Sequence, residues 1–182
     1  MRFIWYSRYR KRLTGWDEGR VFVQLMYCVL YLAALGILSH FIGEALPREW
    51  FHWQAFPYRS LKWERGGAIY ERLGIRRWKD IVPDMSRILP NMFPKRVLSG
   101  EAGKSSAMRL IQETCVAECI HAALIVAGFG CFYFLPGTGG YIVFAVWTVF
   151  GNLPFIIIQR YNRPRLIKLA ARLHDAHAQG KR

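Results

Sequence analysis

Acidic residues are scarce in this chain. Twelve Asp and Glu stand against 26 Lys and Arg, a formal charge of +14 over 182 residues. That imbalance narrows the partners to nucleic acid or an anionic membrane surface. Cysteine is scarce too. Cys28, Cys115, Cys119 and Cys131 lie in or beside apolar runs. They lack the CxxC-type spacing and the extra ligands of a zinc site, and read as small apolar packing residues. No Ser or Cys stands in a nucleophile-elbow pattern. No glycine-rich stretch has phosphate-loop spacing. There is no internal repeat and no low-complexity tract. The first apolar run follows the basic residues Arg8, Arg10, Lys11 and Arg12, as in a signal peptide. It is too long for one and no clean small-x-small cleavage site follows, which argues for a retained anchor.

What the chain has is apolar length. Hydrophobic residues make up 53% and aromatics 15%. The basic residues stand beside long apolar runs, not on a soluble face with aromatics between them. A membrane is therefore the expected partner and nucleic acid is not. A bilayer crossing needs roughly 20 apolar residues, and three segments supply them: 21–43, 116–135 and 140–158. LPGTGG, 135–140, separates the last two and reads as a tight turn, so they form a hairpin.

The expected fold is an all-α membrane protein in one domain. About three transmembrane helices are joined by interfacial amphipathic helices, and ILPNMFP (88–94) is a candidate fourth, re-entrant piece. A basic segment, 1–20, precedes the first span. The region 44–115, with Trp50, Trp53, Trp63 and Trp78 among basic residues, belongs at the headgroup level. The stretch 159–182 holds a polar string and a tail with Leu166, Leu169, Ala170 and Leu173 on one helical face, expected to lie on anionic lipid.

Lys and Arg number 6 before the first span, 13 between the first and second, and 7 after the third. The positive-inside rule places the turn outside and the last two groups inside. The basic N-terminus competes for the same side. Either the first segment does not cross simply, or a further stretch returns through the membrane.

Ionisable residues inside an apolar span usually mark function. ETCVAECIH, 113–121, places Glu118 three residues before His121, neighbours on a helix. A carboxylate beside a His fixes its tautomer and raises its basicity. That is the base and orienter of acyl transfer to a substrate hydroxyl. Glu113 lies about 80° of rotation from His121. The same pair also fits a buried link between spans, or a metal ligand set. NLPFIIIQRYNRPRL, 152–166, is the second signal. On a continuous helix Asn152, Gln159 and Arg163 fall within about 40° of each other. Gln159, Tyr161 and Asn162 donate and accept, and Arg160 and Arg163 offer forks for carboxylate or phosphate. Pro154 and Pro164 are expected to kink or bend the chain. Glu64, with Gly66 and Gly67 after it, and the pair Trp78–Lys79 form a third block, in which the glycines suggest close backbone approach.

WERGGAIYERLGIRRWKD, ETCVAECIH and NLPFIIIQRYNRPRL together resemble the glycosyl-4,4'-diaponeurosporenoate acyltransferase family of bacterial carotenoid biosynthesis. The resemblance is patchy over 62–166 and most specific over Gln159–Leu166. It implies an integral enzyme of the bacterial cytoplasmic membrane. Its partners would be membrane lipids, a hydrophobic glycosylated acceptor and a fatty acyl donor; no cofactor or metal is called for. In this reading His121 is the general base and Glu118 orients it. Gln159, Arg160 and Arg163 hold the donor's anionic part or the oxyanion. Glu113, Asn152, Tyr161 and Asn162 shape the cavity, and Glu64, Trp78 and Lys79 close it from the interface. The alternatives are a non-catalytic membrane subunit that binds a partner or anionic lipid, and a metal-dependent membrane hydrolase using Glu118 and His121.

Overall fold

The computed structural model describes residues 18–79 and 100–180. The re-entrant candidate 88–94 and the basic stretch 8–12 lie outside the described residues. The described chain is helical. Helix α1 spans Glu18–Ala45. A 3-10 turn at Arg48–Trp50 and irregular chain lead to a second 3-10 segment, Lys62–Gly67, and two short helices, α2 (Ala68–Arg72) and α3 (Ile75–Trp78). Helix α4, Gly100–Ala127, continues through a 3-10 turn into α5, Cys131–Phe134. Helix α6, Thr138–Val146, passes through a π-helical segment, Trp147–Asn152, into α7, Leu153–Gly180.

Three of these helical runs are long and apolar enough to cross a membrane: Gly19–Ala45, Ser106–Phe134 and Thr138–Leu173. Their outward faces are apolar. Phe22, Ile37 and Phe41 of α1, and Tyr141 and Phe150 of the third run, are each more than 60% exposed. Around a water-soluble fold such a surface would aggregate, whereas in lipid it costs nothing. The fold is thus an all-α membrane protein.

The helices pack antiparallel. Cys28 and Leu32 of α1 cluster with Cys131 and Leu135, and Tyr31 Oη donates to the Ala127 carbonyl at 2.7 Å. Farther along, Arg48 meets Glu113. Partner numbers fall as α1 numbers rise. The same holds between α4 and the third run, from Trp147 with Leu124 to Arg163 with Thr114. Two ends result. One holds the start of α1 and the 135–140 turn. The other holds the 44–79 region and the C-terminal half of α7. The first segment therefore runs directly from one end of the bundle to the other.

The hairpin turn is tight because Gly140 sits against the Leu135 carbonyl. A Cβ there would lie 2.1 Å from that oxygen, so only glycine fits. At the other end of the bundle Arg48 caps α1, its Nη1 donating to the carbonyls of Gly43, Glu44 and Leu46. Two of the unpaired carbonyls of the helix end, and that of Leu46 just past it, thus share one side chain.

Two expectations about proline resolve differently. Pro154 sits two residues past Asn152, and the turn before it widens to π geometry. Missing its N–H, Pro154 cannot complete a regular turn there, and insertions of this kind often serve function. Pro164 does not end the helix. Helix α7 runs through it, and the segment expected as a separate surface tail continues the third span. Arg160 and Arg163, just before the proline, are tied to other elements, and this tertiary anchoring holds helical geometry despite the missing N–H.

Candidate functional site

The site is built from α4, α7 and the 57–64 segment, around two arginines and two glutamates. Arg160 forks onto Glu64, with Nε to Oε1 at 2.5 Å and Nη2 to Oε2 at 3.0 Å. Its Nη1 donates to Glu118 Oε1 at 2.5 Å and to the Pro57 carbonyl at 3.1 Å. Its Nη2 also reaches the Arg59 carbonyl at 3.4 Å. All five N–H groups of Arg160 are used. Arg163 donates from Nη2 to Glu118 Oε2 at 2.5 Å and to the Thr114 carbonyl at 3.0 Å. Its Nε donates to Thr114 Oγ1 at 2.8 Å and its Nη1 to the Tyr58 carbonyl at 2.6 Å. Both Glu118 oxygens are therefore occupied by guanidinium, and Pro57, Tyr58 and Arg59 all turn carbonyls toward the two arginines.

Glu64 is buried. It also accepts from Tyr70 Oη and from the Leu61 backbone N–H. Burial pushes its carboxyl upward. The hydrogen bonds from Arg160, Tyr70 and Leu61 outweigh that and hold it below the ordinary carboxylate value. Burial beside the Glu64 carboxylate raises the Tyr70 hydroxyl. Local backbone geometry presents Glu64. Arg65, Gly66 and Gly67 all lie in the left-handed region, and Gly67 packs where a Cβ would meet Arg165 Nη1 at 3.3 Å and the Tyr161 carbonyl at 3.5 Å. The close approach expected of these glycines is there at Gly67 and absent at Gly66, which has nothing within 4 Å.

His121 lies one helical turn beyond Glu118. Its Nδ1 pairs with Asn152 Oδ1 at 3.0 Å, and its ring stacks on Phe155 at 4.5 Å and 8°. Asn152 is buried, and its Nδ2 donates to the Trp147 carbonyl at 2.9 Å. A carbonyl can only accept, so it fixes which end of the amide faces the histidine. Oδ1 faces His121, so Nδ1 carries the proton and Nε2 is left as the basic nitrogen. Asn152 is the last residue of the π segment.

A pocket of about 450 Å³ opens above the arginine–glutamate layer, lined by Trp53, Tyr58, Arg59, Ser60, Ile167 and Lys168 as well as Glu64, Arg160 and Arg163. His121 and Asn152 are not among its lining residues; they lie on the other side of that layer. Counting from the turn at Leu135, Glu118 is ~25 Å along the helix. That is near the far edge of a hydrocarbon core ~30 Å thick. A hydrocarbon core counted from that turn would end near Glu118 and put the pocket at headgroup level.

The sequence profile of the glycosyl-4,4'-diaponeurosporenoate acyltransferase (CrtO) family matches residues 47–172. The match takes in every residue of this site. The chain belongs to this acyltransferase family. Glycosyl-4,4'-diaponeurosporenoate acyltransferases of Staphylococcus aureus are similar over most of their length. That of strain N315 is 26% identical over 147 residues, and that of strain USA300 28% over 149, each covering 79% of this chain and 86% of the relative. No solved structure matches.

Within this CrtO-family chain the structure brings together Glu64, Glu118, Arg160 and Arg163, and separately His121 and Asn152. Glu118 on α4 meets Arg160 and Arg163 on α7 directly, and His121 on α4 meets Asn152. The expected partner of His121 is different. Glu118 is drawn to the arginines, whose full charges outcompete a neutral imidazole, and Asn152 takes its place. Glu113 pairs with Arg48, Nε to Oε1 at 3.1 Å and Nη2 to Oε2 at 3.0 Å, and with Arg109 at 3.6 Å. It pins the exit of α1 instead of facing His121. Tyr161 is buried with Tyr70 and Ile75, and Trp78 packs behind that cluster with Nε1 on the Leu73 carbonyl at 3.2 Å. Gln159 and Asn162 are half-buried on α7, and Lys79 follows α3. Among the described residues, no group of three His, Cys, Asp or Glu converges to hold a metal, and Glu118 is already committed to two cations.

Sequence reasoning missed Thr114, Tyr58, Tyr70 and Phe155. Thr114 had a signal: it precedes Glu118 by four residues, on the same face. The carbonyls of 57–59 had none, since backbone acceptors leave no trace in residue type.

Proposed function

We propose that this protein is an acyltransferase of the bacterial cytoplasmic membrane that esterifies a hydroxyl of a glycosylated carotenoid, or a related lipid-linked acceptor, with a fatty acyl group. The observation that carries the reading is the His121–Asn152 pair, in which an amide locked by the Trp147 carbonyl leaves Nε2 basic. His121 is also the one ionisable group of this cluster that is in no ion pair with a described residue. In the reaction Nε2 takes the proton of the acceptor hydroxyl as its oxygen bonds to the acyl carbon. The bond from that carbon to the donor's leaving group breaks, and the leaving group recovers the proton from the imidazolium. Asn152 supplies the orientation first expected from Glu118. Glu118 and Glu64 hold Arg160 and Arg163 in place as the wall between the headgroup-level pocket and the apolar side, from which the polyene end of the acceptor approaches.

The saturated arginine–glutamate layer supports a second reading, a non-catalytic membrane subunit, because side chains so fully paired suit a structural role. The two readings part on one measurement. Purified protein in lipid nanodiscs is given acyl donor and glycosylated acceptor, and ester formation is followed by mass spectrometry. His121→Ala should lower turnover about 10²- to 10⁴-fold with unchanged melting, and Asn152→Ala should lower it about tenfold. A His121→Ala enzyme that acylates at the wild-type rate removes the base. Wild-type protein that transfers nothing while deletion abolishes assembly of a complex favours the subunit.

A further inference from the structure

The pocket at headgroup level carries charge that its own wall does not use. Glu64 and Glu118 balance Arg160 and Arg163, and every N–H of Arg160 is engaged. Arg59 and Lys168 remain. Both line the pocket and both are exposed, and neither has an ion-pair partner among the described residues. They are fixed by different elements. Arg59 is presented by a backbone whose carbonyls at 57, 58 and 59 are held by the two buried arginines. Lys168 stands on α7, one turn past Pro164. Apart from the ion-paired Glu64, Arg160 and Arg163, the rest of the lining is neutral: Trp53, Gln54, Tyr58, Ser60, Pro164 and Ile167.

We infer that this pocket is the phosphate subsite for the acyl donor, with Arg59 and Lys168 as its two cations. The inference rests on the acyltransferase reading, and it moves the anion-holding role away from Arg160 and Arg163. A guanidinium and an ammonium free to turn toward the opening are what a phosphate requires. A saturated, charge-balanced arginine is not. The apolar lining beside them suits the chain that links a phosphate to a thioester. Phosphate could also come from an anionic lipid headgroup at the same depth, and the two sources are separated by experiment.

The test compares wild type with Arg59→Gln, Lys168→Gln and the double variant, all in nanodiscs of the zwitterionic lipid phosphatidylcholine. Two donors with the same acyl chain are used: an acyl-coenzyme A, which bears phosphate, and an acyl-N-acetylcysteamine, which does not. The double variant should raise KM for the first donor at least about tenfold, with little change in kcat. Its kcat/KM for the second should stay within about twofold of wild type. An equilibrium-binding arm uses a non-transferable thioether analogue of the first donor and needs no turnover. Binding should weaken to the same extent. If the double variant transfers normally and binds the analogue as wild type does, the subsite is wrong while the acyltransferase reading stands. If wild type transfers from neither donor but binds the analogue through Arg59 and Lys168, the subsite stands and the activity reading fails. If the variants matter only after phosphatidylglycerol is added, and equally for both donors, the phosphate belongs to lipid and the donor assignment is overturned.

Discussion

Replacing Glu118 by Gln keeps the shape of the side chain and removes its charge. In the folded protein each Glu118 oxygen accepts a 2.5 Å bond, one from Arg160 and one from Arg163, and the three side chains are 13%, 3% and 9% exposed for Arg160, Arg163 and Glu118. Bonds to charged groups are worth ~1.5–3 kcal/mol each. Breaking a buried pair typically costs ~3–5 kcal/mol because it strands the partner's charge. Two guanidiniums are stranded here, but Glu64 still balances one, so the expected loss is about 3–5 kcal/mol. At a few degrees per kcal/mol for a chain of this length, apparent Tm should fall by about 10 °C. The assay is thermal unfolding in nanodiscs beside transfer activity below the variant's Tm. A double-mutant cycle with Arg163→Gln should return a coupling of about 2 kcal/mol. A Glu118→Gln protein that melts with wild type yet makes no ester would refute the reasoning, because Glu118 would then act on the chemistry and not on the two arginines.

Other outcomes follow from the same layer. Glu64 is held below the ordinary carboxylate value of 4.5, so its contribution to stability is full above pH 4.5 and is lost as pH falls from there through the lower folded value. Glu64→Gln should therefore be less stable than wild type at pH 7, with the gap closing in acid; a gap that stays constant down to pH 3 would show that the ion pair contributes nothing. Gly67, at φ +95° and packed on Arg165 and Tyr161, should lose about 1–3 kcal/mol on change to Ala, whereas Gly66, at φ +64° with nothing within 4 Å, should lose about 1 kcal/mol. Equal losses at the two glycines would mean that only backbone strain matters there.

How much of this was legible depends on which question is asked of a residue. The three spans follow from apolar length, and the hairpin from LPGTGG, because both are local properties. Helical spacing also put Glu118 near His121, and Asn152, Gln159 and Arg163 on one stripe. Spacing does not say what stands opposite. Glu118 had two candidates, an imidazole one turn away and arginines on another helix about 42 residues away, and electrostatics chose the arginines. Glu113 found Arg48 at a separation of 65 residues, which no periodicity on α4 could show. The missing N–H of Pro164 argued for a bend, and the anchoring of Arg160 and Arg163 overrode it.

The placement of charge explains why such a site tolerates the edge of a bilayer. A lone carboxylate or guanidinium at that depth costs several kcal/mol, and a lone pair of opposite charges only partly recovers it. Two of each, interlocked so that Arg160 spans Glu64 and Glu118 while Arg163 shares Glu118, leave the layer neutral, with all five N–H groups of Arg160 and four of Arg163 engaged. The 57–59 carbonyls complete it from the interfacial segment, so the layer forms only when that segment, α4 and α7 are all docked. In the polar string at the end of the third apolar run, Arg160 and Arg163 are committed to ion pairs within the bundle. Those arginines close the bundle, with His121 on one side of the layer and Arg59 and Lys168 on the other. A two-sided arrangement of that kind suits an enzyme joining a greasy acceptor to a donor with a polar head.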